Sequence, residues 1–123
     1  MGSRGLGGVG VPDFMALADE ARGLNSSVFS LIRLQLLSNL AIVGQDGVTY
    51  RELKAALQVG DGALYTNLKV LQKMGYVSVN TVVLEKKRLD SYQITGEGLS
   101  EWKKVKAWLA KFVAYGGENN GLR

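Results

Sequence analysis

Val48-Thr49-Tyr50-Arg51-Glu52-Leu53, followed by Ala63-Leu64-Tyr65-Thr66-Asn67-Leu68-Lys69-Val70-Leu71 and then by Met74-Gly75-Tyr76-Val77, is the stretch that decides the fold. Thr49 with Glu52 three residues on is a capping box, in which a hydroxyl and a carboxylate satisfy the free amides of a first helical turn. The helix it opens is expected to run to about Leu57 and to bury Leu53, Ala56 and Leu57. Gly60 is read as the turn residue, because a residue without Cβ takes positive φ at no steric cost, and Asp61 as the N-cap of a second helix. In that helix Leu64, Leu68 and Leu71 recur at four and then three residues, one stripe facing a core. Ala63, Tyr65, Thr66, Lys69, Gln72 and Lys73 are left on the other side. Gly75 stops the helix as a C′ glycine does. Two short helices joined by a tight turn leave one face of the second with no core to pack against.

Tyr76-Val77-Ser78-Val79-Asn80-Thr81-Val82-Val83 is rich in β-branched and aromatic residues and predicts a strand, with Ser91-Tyr92-Gln93-Ile94 as its return partner. Leu84 to Asp90 is read as the tip between them, carrying the consecutive cations Lys86, Lys87 and Arg88. Three further helices flank this motif. The first runs from Asp13 to about Gly23, with Phe14, Leu17, Ala18 and Ala21 on one side. The second spans Ser26 to Val43, where apolar residues cover more than one stripe. The third, from about Glu97 to Tyr115, presents Leu99, Trp102, Val105, Leu109, Phe112 and Val113, with Trp108 and Tyr115 beside them. Apolar surface that wide calls for a partner, and a second copy is the expectation. Its interface is assigned to Leu31, Leu36, Trp102, Trp108, Leu109, Phe112 and Tyr115. The fold class is mainly α with a small β-hairpin (α+β). Residues 1–12 are expected to be a flexible glycine-rich leader, 13–115 the domain, and 116–123 a disordered polar tail.

From about Leu24 to Phe112 these residues resemble a winged-helix transcriptional regulator of the MarR-like/ArsR-like superfamily, in the small archaeal and bacterial winged helix DNA-binding domain group. The resemblance is carried by Ile32-Arg33-Leu34-Gln35-Leu36-Leu37-Ser38-Asn39-Leu40, by Thr49-Tyr50-Arg51-Glu52-Leu53 and by Gly62 to Leu71. Gly75-Tyr76-Val77 and Ile94-Thr95-Gly96-Glu97-Gly98 continue it in the same order. Asn67 stands where many relatives carry a histidine, and the wing lacks their arginine-proline-threonine flavour. The resemblance implies a winged helix-turn-helix with N- and C-terminal dimerisation helices, acting as a homodimer on double-stranded DNA. Base contact would then fall to Ala63, Tyr65, Thr66 and Lys69, with Gly62 permitting close approach. Phosphate contact would fall to Thr49, Arg51, Asn67, Lys73, Lys86, Lys87 and Arg88.

Composition narrows the alternatives. The 123 residues carry a net charge of +4, and a pI near 9.4 suits a polyanionic partner without requiring one. There is no cysteine and no histidine. Thiolate and imidazole metal sites, cysteine or histidine nucleophiles, histidine general bases and disulfides are therefore excluded. The glycines at 2, 5, 7, 8 and 10 precede no βα unit and lack the lysine of a phosphate loop. Leu6 stands where a myristoylation signal needs Ser or Thr. No apolar run approaches the roughly 20 residues of a membrane span, so a cytoplasmic protein without cofactor, metal or catalytic residues is expected. An effector ligand is left open. Rival readings accompany each feature. The module could dock onto proteins without touching DNA, and the wing cations could serve solubility alone. Trp102 and Trp108 are read as core or interface anchors, and Lys103, Lys104 and Lys106 as a solvated face. Arg33 either pairs with a carboxylate or reaches the DNA backbone.

Overall fold

The computed structural model describes residues 13–117. These form helices α1 (Asp13–Ala21), α2 (Leu31–Val43), α3 (Tyr50–Leu57), α4 (Asp61–Lys73) and α5 (Gly96–Gly117), with strands β1 (Val48–Thr49), β2 (Val77–Leu84) and β3 (Lys87–Ile94). The described residues divide into two compact units: Ser26–Trp102 is one, and residues 13–25 together with 103–117 are the other. The leader expected at 1–12, and the tail from residue 118, lie outside the described residues. α5 runs to Gly117, past the expected end at Tyr115.

The core of the Ser26–Trp102 unit is Val28, Leu36, Leu37, Leu40, Leu53, Leu64, Leu68, Leu71, Val77 and Tyr92, all buried. Each fully buried leucine contributes about 1.5–3 kcal/mol by leaving water, so the leucine stripe of α4 holds that helix firmly by one side. α2 is shorter than the expected Ser26–Val43. Ser26–Val28 is a separate 3-10 turn that buries Val28. Ser30 then interrupts the helical path with extended backbone and caps α2, its hydroxyl accepting from the amide of Arg33 at 3.2 Å. A serine able to satisfy a first-turn amide favours a helix start over a helix interior, and that local competition cuts the long amphipathic pattern in two.

The corner between α3 and α4 corrects two expectations. Gly60 has φ −69 and serves as the N-cap of α4 without a side-chain bond. The left-handed residue of the turn is Gln58, at φ 54. Asp61 is thus the first residue of α4, not its cap, and its carboxylate is taken up elsewhere. Leu53 is buried as expected, whereas Ala56 is exposed and Leu57 half-buried. At the other end of α4, Gly75 takes φ 81. The amides of Gly75 and Tyr76 donate to the carbonyls of Gln72 and Leu71 at 2.9 and 3.0 Å, the paired bonds of a Schellman stop.

The sheet is antiparallel with order β1-β3-β2. Val77 pairs with Ile94, and the ladder runs without interruption to Leu84 opposite Lys87. The connection is therefore the two residues Glu85 and Lys86, both at positive φ (50 and 65). Such a turn matches the right-handed twist of the flanking strands and closes the hairpin tightly. The tip expected at Leu84–Asp90 thereby contracts, and Lys87 and Arg88 become strand residues. β1 pairs Val48 with Tyr92 and Thr49 with Ser91; a strand of two residues carries no period that a sequence displays. Thr95 leads from β3 into α5, its hydroxyl accepting from the amide of Gly98 at 3.0 Å and donating to the carbonyl of Gly75 at 2.6 Å. Gly98 packs so closely that a Cβ there would stand 2.2 Å from the Tyr76 carbonyl oxygen.

In the second unit, α1 lies with the later turns of α5. Leu17 and Val105 are buried. The Trp108 indole donates to the Leu17 carbonyl at 2.9 Å, and Lys111 pairs with Glu20 at 3.0 Å. Of the face expected on α1 only Leu17 is buried. Phe14 and Met15 are exposed.

Candidate nucleic-acid interface

α3 begins with the expected capping box. The Thr49 hydroxyl accepts from the Glu52 amide at 3.2 Å, and the Glu52 carboxylate accepts from the Thr49 amide at 2.9 Å. From its first turn α3 also grips the start of α4. The Tyr50 hydroxyl lies 3.2 Å from both the carbonyl and the carboxylate of Asp61, and Lys54 Nζ reaches the same carboxylate at 3.0 Å. Lys54, then Tyr50, hold the Asp61 carboxyl below its ordinary range. Burial, reinforced by Asp61, pushes the Tyr50 phenol up. This clasp links residues eleven positions apart, so nothing in the local sequence announced it.

α4 presents the outward row that the leucine period predicts. Leu64, Leu68 and Leu71 are buried, while Gly62, Ala63, Tyr65, Thr66, Lys69 and Lys73 are all exposed. Lys69 Nζ sits over the Tyr65 ring, 5.5 Å from its centre and one turn away, so a cation and an aromatic ring are offered together. Asn67 does not join the row. It is half-buried, its Oδ1 accepting from Arg33 Nε at 2.8 Å and its Nδ2 donating to the Ala63 carbonyl at 2.7 Å. Arg33 is engaged a second time, through Nη1 to the Ser27 carbonyl at 2.6 Å.

The wing cations divide. Lys86 occupies the turn, while Lys87 and Arg88 are consecutive strand residues and so face opposite sides of the hairpin. Lys87 lines a groove of about 240 Å³ with Thr49, Arg51, Glu52, Leu84, Glu85 and Leu89. The structure therefore brings Thr49, Arg51 and Lys87 to one place at the start of α3. Arg88 stands across from Val83 on the other face.

The residues assigned to a subunit interface also separate. Leu36 is fully buried in the core of its own unit and has no surface to offer a partner, because the continuous apolar run of α2 hides which of its leucines point inward. Leu31 is 74% exposed and Phe112 53%. Trp102, Leu109 and Tyr115 are half-buried, and Trp108 is stacked on Phe112 at 5.0 Å while donating to Leu17. Val113, expected on the apolar face of α5, is exposed as well, and Ile42, at 82% exposure, is an apolar surface residue that the sequence pattern did not mark. Among the described residues, no helix is long and apolar enough to cross a membrane.

Three helices closed by a two-stranded hairpin, with the second helix of a helix-turn-helix turned outward, define a winged helix. The chain belongs to the winged helix DNA-binding domain family, which matches residues 32–113. Its fold is shared with a transcriptional regulator homologue protein from Pyrococcus horikoshii OT3, at 18% identity over 77% of this chain and 94% of that one, with a TM-score of 0.67. It is shared also with MepR of S. aureus in a complex with DNA, at 16% identity, 90% and 87% coverage and a TM-score of 0.63. A third example is smu.1704 from Streptococcus mutans UA159, at 25% identity, 75% and 91% coverage and a TM-score of 0.60. No curated protein matches the sequence. The expected winged-helix resemblance and the α+β fold class are borne out.

Proposed function

We propose that the protein is a sequence-specific, double-stranded DNA-binding transcriptional regulator that works as a homodimer. The observation that carries this reading is the exposed row Gly62, Ala63, Tyr65, Thr66 and Lys69 on a helix whose opposite face is locked into the core. A helix held in that way fits the major groove, where base edges are distinguishable. Thr49, Arg51 and Lys87 at the start of α3 supply phosphate contacts on one flank, with Lys73, Lys86 and Arg88 as further cations. Asn67 acts inside the fold instead. The fold shared with MepR, a protein seen in complex with DNA, supports the same assignment.

Pairing follows from exposed apolar side chains such as Leu31, Phe112 and Val113, which a second copy would remove from water. Two-fold symmetry then places two recognition helices on half-sites about one helical turn apart, roughly 34–36 Å, or a multiple of it. Occupancy of a promoter would regulate transcription by occlusion or recruitment, in the cytoplasm. The test is titration of the protein into random duplex DNA at two salt concentrations. Binding that weakens steeply with salt supports the reading. No binding at low salt would replace it with a protein-docking role.

A further inference from the structure

The leucine stripe fixes how close α4 lies to the core, but leucine contacts are not directional, and a helix held by them alone is free to turn by small angles about its axis. Directional contact to the middle of α4 comes from Arg33 on α2. Its Nε donates to Asn67 Oδ1 at 2.8 Å and its Nη1 to the Ser27 carbonyl at 2.6 Å. A guanidinium only donates and a carbonyl only accepts. Arg33 and the Ala63 carbonyl therefore permit one orientation of the Asn67 amide, with its Nδ2 folded back onto Ala63 at 2.7 Å. The root of Arg33 is fixed as well, since its own amide is capped by Ser30. Ala63 and Thr66, which flank this contact along the chain, belong to the outward row. Ser27 lies in the 3-10 turn Ser26–Val28, immediately after the chain passes into this unit.

We propose that Arg33 and Asn67 are positioning residues for DNA recognition: together they set the rotation of α4, and hence the aim of Tyr65, Thr66 and Lys69, against the Ser26–Val28 turn. The inference rests on the DNA-binding reading above. Neither residue needs to touch DNA. A displacement of the Ser26–Val28 turn, from an effector or from rearrangement of the paired subunits, would be passed to the reading face through two hydrogen bonds.

The test compares Arg33→Lys, Arg33→Met, Asn67→Leu and Asn67→Asp in the full chain. Lysine keeps the charge but loses the planar fork, and aspartate keeps an acceptor for Arg33. The ratio of operator to random-duplex affinity should fall about tenfold in Arg33→Lys, Arg33→Met and Asn67→Leu, the change expected when one base-reading side chain is misaimed. Asn67→Asp should retain most of the ratio. The slope of log K against log salt should stay the same in both Arg33 variants. If Arg33→Met weakens both DNAs alike and flattens that slope by about 0.9, Arg33 is a phosphate ligand and the proposal is overturned. An Asn67→Asp variant as unspecific as Asn67→Leu also overturns it.

A measurement without DNA keeps this inference separable from the functional reading. In the wild type the Arg33 Nε–H should give a solvent-protected NMR resonance, absent in Asn67→Leu, and the amide shifts of Leu64 to Lys69 should move in that variant. Unmoved shifts would remove the positioning role even if DNA binding stands.

Discussion

α4 and the wing both carry exposed cations, yet they are built by opposite means. α4 is held by buried leucines behind it, by the Asp61 clasp at its start and by Arg33 at its middle. The wing past Asn80 is held mainly by its backbone ladder: Thr81, Val83, Leu84, Lys87 and Arg88 are all exposed, and only Val82 and Leu89 are half-buried. A side chain whose backbone is fixed on three sides can discriminate between base edges, because misplacement has a cost. A side chain on a freely exposed ribbon can still neutralise phosphate, which tolerates displacement. Under the proposed function, the contrast would separate a reading element from a holding element within one small unit.

The largest effect should come from cutting the support behind α4. Leu68→Ala removes a buried side chain and should destabilise the protein by about 2–5 kcal/mol, whereas Val83→Ala on the wing should stay within about 0.5 kcal/mol. Denaturant unfolding of the two variants measures the difference, and equal destabilisation would break the comparison. Next is reading itself. Tyr65→Ala or Thr66→Ala should weaken operator binding by about 1–3 kcal/mol while leaving random duplex almost untouched. Equal weakening on both DNAs would move these residues to the holding class.

The wing should show itself through salt. Replacing Lys86, Lys87 and Arg88 together by alanine should flatten log K against log salt by about 0.9 for each phosphate that is no longer neutralised. Because Lys87 and Arg88 face opposite sides of the hairpin, one phosphate strand does not engage both. A flattening of about 1.8 is expected, not the roughly 2.7 that three aligned cations would give. Arg51→Ala should reproduce the effect of Lys87→Ala, since the two share one groove.

The smallest effect concerns the Asp61 clasp. Its carboxyl is held below the ordinary range by Lys54 and Tyr50. The stability it confers is present above the usual carboxylate value of about 3.9 and is lost as pH falls through the lowered folded value. Asp61→Asn should remove that pH dependence, with a small loss of stability at neutral pH, since the group is exposed, and no loss below the lowered folded value. An acid-unfolding curve checks it, and an unaltered midpoint would show that the clasp adds nothing.

What could be read from the sequence was what is local and periodic. The Thr49–Glu52 box, the Leu64, Leu68 and Leu71 stripe and the Gly75 stop are each settled within about two helical turns, and each stands as expected. The differences arose where two local signals competed or where the decisive contact was distant. Ser30 divided a run whose apolar pattern looked continuous, and Gln58 took the left-handed position that a nearby glycine was expected to hold. Lys86, Lys87 and Arg88 looked like one cluster because sequence adjacency conceals the alternation of a strand. Asn67 was given a phosphate contact by the resemblance alone, and its bond to Arg33, thirty-four residues away, is a contact that no local signal announces.

Under the proposed function the outward face of α4 reads DNA sequence and a second copy doubles the site. Selection of bound fragments from a random duplex library tests it most directly. A dimer of this kind should enrich a pseudo-palindrome whose half-sites lie about 10–10.5 base pairs apart, or a multiple of that spacing. Recovery of the input library without enrichment, from a protein that still folds cooperatively, would contradict it.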